Sequence, residues 1–71
     1  MRTNWPPTVG KVYEVRDVRK GVYRGKCLTA YDEFATFQIV RGTARFLTRP
    51  DATSGDVVSA RKGLVEFVPA L

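Results

Sequence analysis

The sequence predicts an all-β fold, a short sheet curled into a small, partly open barrel, on three observations. Apolar residues recur at every second position along several short stretches, which is the period of a half-buried strand. No apolar stripe of 3.6-residue period is sustained, because glycine or proline interrupts every stretch long enough for three helical turns. Gly25 stands inside an otherwise regular strand, where a glycine marks the bulge or bend that lets a short sheet curl. At 71 residues the chain has room for one domain and one core.

Taken in order, Asn4-Trp5-Pro6-Pro7-Thr8 reads as an extended arm of polyproline type, since two prolines fix φ and remove two backbone donors. Trp5 could fold back onto the barrel or stay free, and the sequence leaves both open. The expected organisation is an arm over residues 1–8 and a single barrel over residues 9–71. The first strand is expected over residues 10–17, with Tyr13 and Val15 on one face, followed by the turn Val18-Arg19-Lys20-Gly21. Residues 22–30 form the second, with Tyr23, Gly25 and Cys27 on one side and Arg24, Lys26 and Leu28 on the other. Tyr31-Asp32-Glu33-Phe34 reads as a tight hairpin connection. The strand over residues 34–40 alternates most cleanly, Ala35, Phe37 and Ile39 against Thr36 and Gln38. Arg41-Gly42 then reads as a short reversal into a strand over residues 43–48, where Ala44 and Phe46 oppose Arg45 and Leu47. Residues 49–56 are dense in turn formers and are expected to be the most mobile loop. Residues 57–60 and 64–68 complete the set, separated by Arg61-Lys62-Gly63, with Pro69 ending the pairing. Five or six strands at this spacing fit a partly open small barrel of SH3-like or OB-like kind, because curling leaves few unpaired edges, and the SH3-like version is expected. Its expected core is Tyr13, Val15, Tyr23, Cys27, Ala30, Ala35, Phe37, Ile39, Phe46, Val58, Val65 and Phe67. So small a core gives modest stability, which homo-oligomerisation would raise.

Twelve Lys and Arg stand against seven Asp and Glu, for a formal net charge of +5. The excess is confined to residues 1–26, where Arg2, Lys11, Arg16, Arg19, Lys20, Arg24 and Lys26 face only Glu14 and Asp17. Such a balance favours acidic partners, nucleic acid among them, although charge of this kind also serves solubility. The chain has no histidine and one cysteine, Cys27, so it supplies neither a His-based triad nor an internal disulfide nor a zinc-finger ligand set. Cys27 alternates with apolar neighbours and reads as a buried structural thiol. Asp32 and Glu33 are adjacent in a turn and read as solvated residues, not as an acid and base pair. The chain is therefore expected not to be an enzyme and to need no cofactor and no metal. The apolar runs are too short for a membrane span and the N-terminus lacks the apolar stretch of a signal peptide, so a cytoplasmic location without membrane partners is expected.

Around Arg16-Asp17-Val18-Arg19-Lys20-Gly21-Val22-Tyr23-Arg24-Gly25-Lys26, then Asp32-Glu33-Phe34-Ala35-Thr36-Phe37 and Arg41-Gly42, the chain resembles a loose group of short basic proteins from phages and prophages. The resemblance covers about half the chain. It implies a small SH3-like barrel and a phage or bacterial source, and it carries no assigned function or binding residue. Within the chain, Val18-Arg19-Lys20-Gly21 is echoed by Ala60-Arg61-Lys62-Gly63, which gives two basic turns.

The candidate nucleic-acid-binding residues are Arg19, Lys20, Arg24 and Lys26, joined by Arg61 and Lys62 if the barrel brings the two basic turns together. Arg24 and Lys26 project from one strand face at i and i+2. Trp5 and Phe34 are the candidates for stacking or partner contact, with Tyr31 beside Phe34. Rings next to cations form the surface that binds single strands. Against stacking, Tyr31 and Phe34 flank a hairpin and would pack on each other. The competing expectation is a protein-interaction module that uses an exposed sheet edge, Trp5 and Phe34.

Overall fold

The computed structural model describes residues 4–70. It contains five strands, β1 (Val12–Asp17), β2 (Gly21–Ala30), β3 (Phe34–Gly42), β4 (Val57–Arg61) and β5 (Val65–Pro69). All pair antiparallel in one sheet of order β4-β3-β2-β1-β5, and no helix occurs among the described residues. The first four strands follow one another across the sheet, and β5 crosses back to pair with β1. The sheet does not close, so β4 and β5 remain edges of a partly open barrel.

The curl originates in β2. This ten-residue strand pairs with β1 through its first half and with β3 along most of its length, and its register against β3 slips twice, between Arg24 and Gly25 and between Cys27 and Thr29. Each slip bends the strand and adds twist. A Cβ on Gly25 would lie 2.9 Å from the Phe37 Cβ, so the close approach of the two strands at the first bend requires glycine. On the concave face, Tyr13 meets Phe67 and Phe37 edge-on at centroid distances of 5.2 and 6.3 Å, and Tyr23 meets Phe37 at 6.4 Å. These rings, with Val15, Cys27, Ala35, Ile39 and Val58, are buried as the alternation predicts.

Several expectations are corrected. Residues 43–48 do not form a strand, and Arg41-Gly42 does not open a hairpin. β3 runs on through Gly42, whose φ of +88° then turns the chain out of the sheet. In the segment that follows, Ala44 and Ala52 exchange both backbone bonds (2.9 and 2.8 Å) and the Arg45 N–H donates to the Lys20 carbonyl (2.9 Å). Those donors are taken within the loop and by the β1–β2 turn, so no ladder can form. Ala44, Ala52 and Ala60 join the core, while Ala30, Phe46 and Val65 are only partly buried against it. Pro69 ends β5 from within it, paired with Tyr13.

The opening segment bends at Trp5 and Pro6, whose peptide bond is cis, where its prolines suggested an extended course. Trp5 folds onto the barrel. Its ring packs edge-on against Phe67 at 5.8 Å, and its Nε1–H donates to the Tyr31 carbonyl at 2.8 Å. The Tyr13 hydroxyl accepts from the Thr8 N–H (2.8 Å), which ties the segment to β1.

Candidate nucleic-acid interface

The β1–β2 turn is built around Asp17, the buried charged side chain among the described residues. Its Oδ1 accepts the backbone N–H groups of Arg19 and Lys20 at 2.8 and 3.0 Å, the local bonding that makes aspartate a turn former. The turn crosses to the opposite edge of the sheet, where Lys20 Nζ donates to the Ser59 carbonyl at 2.7 Å. The register explains why that oxygen is accessible. Ile39 N–H donates to the Asp56 carbonyl and Lys62 N–H to the Glu33 carbonyl. Because bonded and unbonded pairs alternate along an antiparallel ladder, Ser59 and Arg61 turn their backbone groups away from β3 toward the open edge.

This crossing brings together three of the six predicted cations. Arg19, Lys20 and Arg61 line a cleft of about 360 Å³ with Phe34, whose other lining residues include Asp17, Glu33 and Leu64. Arg19 and Lys20 also line a neighbouring cleft of about 200 Å³ with Arg45, Phe46 and Leu47. Beside it the Arg49 guanidinium lies over the Phe46 ring at 4.0 Å, with Lys20 Nζ 5.6 Å from the same centroid. Arg19, Arg45 and Arg61 form no ion pair among the described residues. The Asp17 carboxylate is already engaged by two backbone amides, which leaves Glu33 as the acidic group bordering this basic surface.

The other three predicted cations stand elsewhere. Arg24 and Lys26 project from the outer face of β2, opposite Glu14 and Val12 on β1 and Arg41 and Gln38 on β3. That face mixes signs, and Arg16 Nη2 lies 3.4 Å from Glu14 Oε1. Lys62 lines a third groove, of about 560 Å³, that runs along β5 with Trp5, Leu64 and Phe67. Trp5 is therefore anchored away from the cation clefts. Phe34 borders the cleft of Arg19, Lys20 and Arg61, and it also pairs with Tyr31 as the hairpin predicts, at a centroid distance of 4.8 Å and an interplanar angle of 33°. Both rings keep about half their surface exposed, 53% for Tyr31 and 43% for Phe34.

Arg45, Phe46 and Arg49 enter the site without having been singled out in the sequence. Their segment has a strand-like alternation, and the usable signal was the pairing of an aromatic residue with an arginine three positions on, just before Pro50. Two buried groups line none of these clefts. Burial pushes the Cys27 thiol up from its ordinary value, and the Sγ–H donates to the Thr29 carbonyl at 3.5 Å. Burial, reinforced by Asp17, pushes the Tyr23 phenol well above its ordinary range, and its hydroxyl has no hydrogen-bond partner. Among the described residues no group of three or more Cys, Asp or Glu converges to hold a metal ion, and no helix is long and apolar enough to cross a membrane. No family model, no curated protein and no solved structure matches the chain.

Proposed function

We propose that this chain is a small basic module that binds nucleic acid mainly by electrostatics, with weak sequence preference, through the surface of Arg19, Lys20, Arg45 and Arg61. One observation carries the reading: cations from the β1–β2 turn, the long loop and the end of β4 border two adjoining clefts that share Arg19 and Lys20. Guanidinium groups without carboxylate partners are available to phosphate oxygens, which they can hold in bidentate fashion. Phosphate contacts fix position and affinity and carry no sequence information directly. The resemblance to short basic phage and prophage proteins fits an accessory role of this kind.

Titration of labelled oligonucleotides at several salt concentrations tests the proposal. Binding is expected at low salt, with log affinity falling linearly in log salt by roughly 0.7 to 0.9 for each phosphate contact. Absence of binding at low salt, or affinity independent of salt, contradicts it.

A protein-interaction role is favoured by a different observation, the groove along β5. The Val18 N–H donates to the Leu64 carbonyl and the Ala70 N–H to the Val12 carbonyl, which leaves Val65 and Phe67 with their backbone groups facing the free edge. An extended segment of a partner, or of a second copy, could add there as a strand. A solution mass above the 8.0 kDa of the monomer would favour self-association through such an edge. A strict monomer removes that form of the reading.

A further inference from the structure

We infer that the ligand of this surface is single-stranded nucleic acid, with a base seated against the Tyr31–Phe34 ring pair and the adjoining phosphates on Arg19 and Arg61. The inference rests on the proposed nucleic-acid reading and specifies its substrate. Phe34 and Arg61 are direct cross-strand partners, so ring and guanidinium stand side by side on one surface. Phe34 lines the cleft with Arg19 and Arg61 on one side and, with Tyr31, Asp32 and Glu33, a shallower depression on the other. The ring pair thus forms a half-exposed apolar platform at the margin of a cationic cleft.

That combination suits a base with its phosphate, because every base has a π-face and every linkage a negative charge. A duplex keeps its base faces stacked internally and offers the platform nothing. The cation cleft, at about 360 Å³, is of the size that holds small ligands, about 300–1,000 Å³. Asp32 and Glu33 line the depression on the ring side and disfavour a phosphate there. The backbone accordingly runs on the Arg19 and Arg61 side and the base lies on the ring side.

Fluorescence anisotropy with short oligo(dT), oligo(rU) and a mixed-sequence duplex of equal length, at one salt concentration, provides the test. At least one of the single strands is expected to bind about ten-fold tighter than the duplex. Phe34→Leu keeps apolar bulk and removes the aromatic face, so it is expected to lower single-strand affinity by about ten-fold, the order of one lost base–aromatic stack, while duplex binding stays unchanged. Tyr31→Leu serves as the second variant if Phe34→Leu fails to fold. Duplex binding as tight as single-strand binding, or single-strand affinity unaffected by loss of either ring, overturns the inference and leaves the electrostatic reading standing. Absence of binding to every probe overturns both.

Discussion

Tyr23 shows how one atom can work against a well-packed position. Its ring is buried against Phe37, yet its hydroxyl is sealed from solvent without a partner. An unsatisfied buried hydroxyl costs about 1–3 kcal/mol, so Tyr23→Phe is expected to raise unfolding stability by about 1 kcal/mol or more in a urea titration. Lower stability in the variant would mean that the hydroxyl has a partner in solution. The same burial sets a pH dependence. The raised phenol keeps its proton in the folded chain, whereas in the unfolded chain it ionises near its ordinary value of about 10. Stability from Tyr23 is therefore fully present below about pH 10 and is lost as pH rises above it. Cys27, raised in the same direction, begins to act from about pH 9. Tyr23→Phe should flatten the alkaline limb above about pH 10 and leave the Cys27 contribution in place.

At the scale of elements, β2 decides the architecture. Its glycine was legible as a bend because a residue without a side chain has little other reason to stand amid Tyr23 and Cys27, and the register slips there. Gly25→Ala forces a Cβ against Phe37 and is expected to cost about 1–3 kcal/mol, read as a lower urea midpoint with an unchanged slope. An unchanged midpoint would mean that the curl does not depend on this close approach. β1, β2 and β3 could be read from the chain because one face of each is buried and the other is not, so the two-residue period is clear. The segment after Gly42 could not. Ala44 and Phe46 alternate with Arg45 and Leu47 like a strand, but the Ala44 and Arg45 N–H groups donate to the Ala52 and Lys20 carbonyls, partners that only the folded chain supplies. Ala60 follows Val58 at the two-residue period that placed Ala35 beside Phe37 and was missed in the core all the same, whereas Ala52 lies in a loop with no period to read.

For the whole molecule, the central matter is where the positive charge collects. The sequence placed the excess in its first third, and within that third Arg19 and Lys20 were read correctly as neighbours in a turn. It could not place Arg24 and Lys26 relative to them, since both depend on which face of a curled sheet the turn overhangs. The barrel puts that pair on the outer face, where Glu14 and Glu66 interleave with the cations, and draws Arg61 and Arg45 to the turn from distant parts of the chain. Two double variants with equal loss of charge separate position from net charge most directly. Arg19→Gln with Arg61→Gln is compared with Arg24→Gln with Lys26→Gln, by salt-dependent binding to a short single-stranded oligonucleotide. The first pair is expected to weaken binding and to reduce the salt slope by roughly 0.7 for each contact removed, while the second leaves the slope close to that of the unsubstituted chain. Equal losses from both pairs, or a greater loss from Arg24 and Lys26, would contradict the account.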